Sequence, residues 1–254
     1  VEMPVMTSGM IKGAVTSLGY NVIEHNAGFT GTVATDQLGA DPALAALALD
    51  AASGQYVHAL GSGSIAIDVD GAAPPATDQR GVTRDASADA GAYEKTNSAP
   101  VLDASGTMTL TTITEDETNN AGDLVSSLIA SAGGDRITDA DGDPEGIAIT
   151  ALASGNGSWE YSLDGGASWL TIGTVTNASA LLLRSTDRVR FVPNAADGTT
   201  ASITFRAWDR KVGTAGTKVS TASNGGSSAF SAATESAAIT VTAVNDAPLI
   251  DLDA

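Results

Sequence analysis

The sequence predicts an all-β chain in two parts, and three observations carry that reading. Apolar and polar residues alternate with period two in several stretches, as in half-buried strands. Gly, Asn, Asp and Pro punctuate those stretches every few residues, which favours short strands over long helices. A seam motif also occurs twice: Asn97-Ser98-Ala99-Pro100-Val101-Leu102-Asp103 is echoed 148 residues later by Asn245-Asp246-Ala247-Pro248-Leu249-Ile250-Asp251. A repeated Asn-x-Ala-Pro, followed by an apolar pair and an Asp, reads as the junction between modules in tandem. The expected organisation is a first segment over 1–95, one complete module over 96–246 and the start of another over 247–254, the whole being a slice of a longer protein.

Apolar residues make up 43% of the chain, enough for real cores, but only 4% are aromatic. The abundant Ala, Gly, Ser and Thr suit closely stacked β-layers. Thirty acidic residues face twelve basic ones, a formal charge of −18, which argues against nucleic acid as a partner because its phosphates need basic contacts. Carboxylates in such excess either keep a surface soluble or await hard cations such as Ca²⁺, which takes oxygen ligands. The absence of cysteine rules out disulfides and thiolate metal sites. No run of 18 apolar residues is present, so no membrane span is expected. There is no signal peptide and the chain starts at Val1, as an internal fragment does.

In the first segment, Ser17–Ile23 and Ala59–Asp68 are apolar stretches broken by Gly and Asn, expected as short strands. Pro42–Leu49 is good helix former behind Asp41, an N-cap with Pro at the first helical position. Asp68 and Asp70 flank a Gly-bounded turn and are expected to bond local amides. His25 and His58 have no nucleophile or carboxylate beside them in sequence, so structural roles are expected for both.

Several pieces of this segment stand in a fixed order: Leu18-Gly19-Tyr20-Asn21, Leu38–Leu44, His58-Ala59-Leu60 with Gly63–Asp68, Thr77-Asp78-Gln79-Arg80-Gly81-Val82, and Gly91-Ala92-Tyr93-Glu94. That ordered set resembles the C-terminal end of right-handed parallel β-helix domains of large bacterial surface proteins. It departs from them at Ile65, where Pro is usual, and at Ala90, where Ile is usual. The resemblance implies the closing coils and cap of a solenoid. Pectin-degrading enzymes use the same fold with their catalytic groups on upstream coils, which leaves an ancillary region of a polysaccharide-acting enzyme as the alternative function.

The second segment is a string of strands. Ser202–Trp208 puts Ile203, Phe205 and Ala207 on one face, and Ala238–Ala243 turns Ile239 and Val241 inward with Thr240 and Thr242 outward. Met108–Thr114, Leu124–Ala130, Ile147–Ala153, Trp159–Leu163, Trp169–Ile172, Leu181–Leu183 and Arg188–Val192 are further candidate strands. Nine or ten short strands with turns between them point to an antiparallel sandwich, with Ala222–Ser228 as a long loop. Ser162–Trp169 fits the Asp-box pattern S-x-D-x-G-x-[ST]-W found in sialidases, a hairpin-folding device rather than a catalytic one.

The chemistry lies in carboxylates. Asp139, Asp141 and Asp143 alternate in a Gly-bearing loop followed by Glu145, which aims them at a common point only if the backbone wraps around it. The EF-hand pattern fails, with Pro144 where its Gly should stand and Thr150 where its Glu should stand. Such a loop either binds Ca²⁺ or is simply a solvated turn. Glu115, Asp116 and Glu117 follow an early strand, Asp209 closes Phe205–Trp208, and Asn245-Asp246 forms the second seam.

That set is similar to cadherins, and the whole of 97–254 resembles the cadherin-like or immunoglobulin-like tandem repeats of giant bacterial RTX adhesins. The match runs through Thr111–Glu117, Tyr161–Trp169, Arg188–Pro193, Asp197–Ala201 and Ala243–Pro248. It implies Ca²⁺ at the junctions and a metal set of Glu115, Asp116, Glu117, Asp139, Asp141, Asp143, Glu145, Asp209, Asn245 and Asp246. A loop cluster of Asp139, Asp141 and Asp143 is expected to stand apart from a seam group of Glu117, Asp209, Asn245 and Asp246. The first seam, Asn97-Ser98, lacks the Asp of the second, so calcium is less expected between the two segments than at the second seam. The implied function is a non-catalytic, Ca²⁺-stiffened stalk or spacer of a secreted or cell-surface protein, in a Gram-negative bacterium. Its expected partners are neighbouring repeats of the same chain, with cell-surface glycans or proteins and self-association as further candidates. A carbohydrate-binding module is a further alternative.

Overall fold

The computed structural model describes residues 21–23, 33–61, 63–69, 75–84 and 88–246. The chain divides into two compact units, 1–96 and 97–254. The described residues are all-β, with one helix of six residues. No helix among them is long and apolar enough to cross a membrane.

In the first unit, β1 (Val22–Ile23) pairs in parallel with β2 (Gln37–Leu38), and β3 (Ala48–Asp50) pairs antiparallel with β4 (Gln55–Val57). The helix expected over Pro42–Leu49 does not form. Asp41 does accept the Ala43 amide at 2.8 Å, but Ala43 takes a left-handed φ of 51°. The chain beyond it bonds to 59–61 instead, through Ala45 N to Ala59 O and Gly61 N to Ala43 O. Long-range pairing has overridden helix propensity, which is worth only a few tenths of a kcal/mol per residue. The strand expected through Ala59–Asp68 is also replaced, since Gly63 and Ile65–Asp68 lie in turns tied by Ser64 N to Gly61 O and Ile67 N to Ser64 O. His58 bonds the Ala45 carbonyl through Nδ1 at 2.8 Å, a structural contact. His25 and Asp70 lie outside the described residues.

Charged residues between 78 and 84 and between 89 and 94 fold onto one another. Asp78 accepts the Arg80 and Val82 amides at 2.8 and 3.0 Å, Arg80 Nε at 2.8 Å and the Glu94 amide at 2.9 Å. Arg84 holds the Glu94 carboxylate and the Asp89 carbonyl at 2.8 and 2.9 Å. Asp89 in turn accepts the Asp68 amide at 2.9 Å and the Lys95 amide at 2.5 Å. The Arg80 guanidinium lies 3.7 Å from the Tyr93 ring centroid. Buried charges persist when paired and hydrogen-bonded in this way.

The second unit begins with β5 (Val101–Leu102), β6 (Met108–Thr109), β7 (Ile113–Thr114), β8 (Asp123–Leu124), α1 (Val125–Ala130) and β9 (Ile137–Thr138). It continues with β10 (Gly146–Ala153), β11 (Gly157–Ser162), β12 (Leu170–Thr171), β13 (Ala180–Arg184), β14 (Arg188–Pro193), β15 (Thr199–Trp208), β16 (Lys218–Val219) and β17 (Glu235–Thr242). One sheet runs β16-β13-β10-β15-β17-β6, with β7 also on β17; the other runs β12-β11-β14-β8, and β5 pairs with β9. All pairings are antiparallel except those of β17 with β6 and β7.

A single hydrophobic cluster draws on both sheets: Ile147, Ile149, Ile203, Phe205, Ile239 and Val241 from the first, Trp159, Tyr161, Val189 and Phe191 from the second. Trp159 meets Phe191 edge-on at 5.1 Å. Full burial of each such side chain stabilises by roughly 1.5–3 kcal/mol. Period-two alternation appears as read: Ala201, Ile203, Phe205 and Ala207 are buried along β15, and Ala237, Ile239 and Val241 along β17.

Two candidate strands come out differently. In Leu124–Ala130, Val125, Leu128 and Ile129 are buried at helical spacing on α1. The first helix amides are met by the Asp187 and Ser185 carbonyls. Met108–Thr114 breaks into β6 and β7 because the Thr111 amide and hydroxyl both turn to Asp123, at 3.0 and 2.6 Å. In the β11–β12 hairpin, Asp164 accepts the Ser162 hydroxyl and the Ser168 amide at 2.7 and 2.9 Å. Hydrogen bonds from Ser168 and Ser162 hold the Asp164 carboxyl well below its ordinary pKa. Trp169 of this hairpin is stacked under the Arg190 guanidinium, 4.1 Å away.

Candidate metal centre

Strand register brings the acidic residues together. Antiparallel pairing of β10 with β15 sets Gly146 opposite Trp208, so Asp143–Glu145, just before β10, lie beside Asp209, just after β15. A Cβ at Gly146 would sit 2.6 Å from the Leu183 carbonyl and 2.8 Å from the Trp208 ring, so only glycine fits at the strand start. Pairing of β5 with β9 sets Val101 opposite Thr138, which brings Asn97–Pro100 alongside Asp139–Asp141. Four strand ends thus meet around a cleft of about 270 Å³, whose lining includes Asp135, Asp139, Asp143, Glu145, Trp208 and Asp209.

The 139–143 loop is wound by its own first residue. Asp139 Oδ1 accepts the Asp141 amide at 2.7 Å and the Asp143 amide at 3.4 Å, and its carbonyl accepts the Gly142 amide at 3.3 Å. Gly142 supplies the left-handed φ of 75° that the turn needs. Asp139, Asp143 and Asp209 end with one carboxylate oxygen each within 4.8 Å of the others.

Asp209 is 1% exposed. It accepts the Lys211 amide at 2.9 Å and the Asn97 side-chain amide at 2.7 Å. Asn97 also donates to the Ser228 carbonyl at 3.1 Å, and the Ser98 amide donates to Asp141 Oδ2 at 2.6 Å. Burial pushes the Asp209 carboxyl above its ordinary pKa, and the Asp143 and Asp139 charges push the same way, against the hydrogen bonds from Lys211 and Asn97. Glu145 is likewise raised, by burial and by the neighbouring Asp135 carboxylate.

Three oxygens in this cluster are buried without a hydrogen-bond partner: Asp139 Oδ2, Asp143 Oδ2 and Asn97 Oδ1. A buried unsatisfied acceptor costs about 1–3 kcal/mol, more when charged. Three carboxylates and one amide are a hard-oxygen donor set, the type that Ca²⁺ takes.

The expected grouping of ligands changes in two ways. Asp209 belongs with Asp139 and Asp143, not with Glu117, because β15 runs toward the loop cluster. Asp141 belongs to the turn rather than the triad, since its Oδ2 is taken by Ser98. Asn97, outside the expected ligand set because its seam lacks an Asp, lays its side-chain amide on Asp209. The signal was available in its alignment with Asn245.

Glu115, Asp116, Glu117, Asn245 and Asp246 sit where β7 pairs with the end of β17. Glu115 is 1% exposed; its Oε1 accepts the Val244 amide at 2.7 Å, and its Oε2 is buried and unpartnered. Glu117 instead closes its own turn on the Thr114 amide at 2.6 Å, while Asp116, Asn245 and Asp246 are exposed. The stretch 247–254, expected to open another repeat, lies outside the described residues. No protein-family model, curated protein or solved structure matches the chain.

Proposed function

We propose that the chain is a non-catalytic structural segment of a secreted or surface-attached bacterial protein, a stalk or spacer stiffened by Ca²⁺. In this reading the second unit is a cadherin-like or immunoglobulin-like sandwich, and the first holds the closing coils and cap of a right-handed parallel β-helix. Two mainly antiparallel sheets sharing one cluster support the former; the parallel β1–β2 pair and the charged network over 77–94 support the latter.

The observation that carries the proposal is the convergence of Asp139, Asp143 and Asp209 with buried oxygens that nothing among the described residues satisfies. A dication turns their mutual repulsion into ligation, with Asn97 Oδ1 as an amide ligand after rotation of its side chain. The metal would then tie the 97–100 segment to the loop cluster and restrict bending where the module begins. Glu115, at the opposite end of β17, would serve the next repeat with Asn245 and Asp246. Extracellular calcium modules commonly bind in the millimolar to sub-millimolar range, which suits a protein working outside the cell.

The test is a melting curve of the whole chain in chelator and in about 5 mM Ca²⁺, with anomalous scattering from crystals grown with the metal. An ion beside Asp139, Asp143 and Asp209 and a raised Tm are expected. An unchanged Tm with no ion at the cluster would leave an acidic spacer.

A further inference from the structure

The acidic cleft is met by a positive charge that belongs to the protein. Lys211 Nζ lies 3.4 Å from Asp143 Oδ1, while Oδ2 of the same carboxylate is buried without a partner. The fold fixes the lysine's backbone rather than leaving it on a mobile surface. Lys211 N donates to Asp209 Oδ1 at 2.9 Å, Arg210 beside it adopts a left-handed φ of 68°, and Trp208 Nε1 holds the Val212 carbonyl at 2.8 Å. The residue is therefore held on both sides, with its amide on Asp209 and its ammonium beside Asp143. At 3.4 Å the pair is longer than a good charge-assisted hydrogen bond of about 2.7–2.9 Å, and the lysine side chain is 38% exposed. Such a contact places a positive charge beside Asp143 at more than hydrogen-bond length.

We propose that Lys211 is the resident counter-cation of this cleft, an affinity-determining residue that shields Asp143 when no metal is bound and opposes the dication when one arrives. The proposal rests on the metal reading above and adds what sets its affinity. Three converging carboxylates carry a charge of −3, and the ammonium offsets one of them. A dication among the same oxygens must either approach that ammonium or displace it along its flexible stem. In both cases the lysine weakens binding and lessens the dependence of the fold on metal. A stalk built this way keeps its shape in low calcium and responds over a higher concentration range.

The test is calorimetric titration of the full chain with Ca²⁺ at low ionic strength, comparing wild type, Lys211→Gln and Lys211→Arg. Asp139→Asn serves as the reference that disables the cleft, and heat surviving in it is assigned to the Glu115 end and subtracted. Loss of one positive charge at this range should tighten cleft binding roughly tenfold in Lys211→Gln, while Lys211→Arg stays within about threefold of wild type. In chelator Lys211→Gln should melt below wild type, and at saturating Ca²⁺ the two should coincide. Cleft binding by Lys211→Gln alone also supports the proposal. Equal affinities for wild type and Lys211→Gln, or equal tightening in Lys211→Arg, overturns it while leaving the metal reading intact. Absence of cleft binding in every variant overturns the metal reading and this inference together.

Discussion

Asp78, Asp89 and Glu94 in the first unit are as buried as Asp209 in the second, at 6%, 5%, 1% and 1% exposed. Around the first three, Arg80, Arg84 and backbone amides deliver donors, and none of their oxygens is both buried and unpartnered among the described residues. Around the second unit's cluster, Asp139 Oδ2, Asp143 Oδ2 and Asn97 Oδ1 are left over. The pKa shifts of Asp78 and Asp209 are opposite in direction, while Asp89 is raised like Asp209, by burial and by the Glu94 and Asp68 charges. Burial raises Asp78, but hydrogen bonds from Glu94, Arg80 and Val82 outweigh it and leave the group below 3.8. Asp209 stays above its ordinary value, because its neighbours Asp143 and Asp139 add repulsion to burial. In the first unit the buried carboxylates are met by donors of the fold; in the second, oxygens of Asp139, Asp143 and Asn97 are not, and on that difference the proposed metal reading rests.

The largest expected effect breaks the satisfied side. Arg84 and Glu94 are 7% and 1% exposed in their side chains, so Arg84→Ala strands a buried carboxylate at a cost of about 3–5 kcal/mol. Faster amide exchange over 75–95, insensitive to Ca²⁺, is the expected readout. Trp159, Trp169 and Trp208 all lie in the second unit, so the tryptophan-monitored melt should stay unchanged. Unaltered exchange in this variant would mean that the network is ornamental.

Next comes calcium itself. At a few millimolar it should stabilise the second unit by about 1–2 kcal/mol, seen as a rise in the tryptophan-monitored Tm. Equal rises in both units would erase the contrast between them.

Asp139→Asn should follow, with two opposite signs. It keeps the Oδ1 acceptor for the loop amides but removes a repelling charge, so the chelated protein gains about 0.5–1 kcal/mol. The calcium response should fall at least tenfold in affinity. A variant that destabilises the chelated protein would show Asp139 to be merely a loop-winding residue.

The smallest effect is on pH dependence in chelator. A raised folded pKa, as at Asp209, contributes stability that is fully present below the unfolded value near 3.8 and lost as pH rises through the folded value. Lowering pH from about 7 to about 5 should therefore stabilise the second unit, by under about 1 kcal/mol. The depressed pKa of Asp78 works the other way: its contribution is present above 3.8 and lost only as pH falls through the lower folded value. Denaturant melts of tryptophan emission that weaken toward pH 5 would contradict the assignment at Asp209.

Much of the β architecture was legible because alternation reports directly on which side of a strand is buried, as at Ile203, Phe205, Ile239 and Val241. Asp139, Asp143 and Asp209 were all legible as oxygen donors from residue type and local turns. Pro42–Leu49 was misread because its local helix preference is weak beside the hydrogen bonds that 59–61 offer it. Leu124–Ala130 reads as a strand but forms mostly a helix, because a short apolar run fits either period.

By itself, then, the sequence determined the all-β class, the strand faces and the excess of carboxylates, since these follow from residue chemistry and local periodicity. The tertiary structure alone decided which carboxylates meet. Asp139, Asp143, Asp209 and Asn97 are brought to one cleft by the register of β10 on β15 and of β5 on β9, in which Gly146 faces Trp208 and Val101 faces Thr138. Pairing of this kind joins residues as far apart as Asn97 and Asp209, 112 positions along the chain. Spacing in sequence carries no trace of it, because register is set by the packing of both sheets on their shared core.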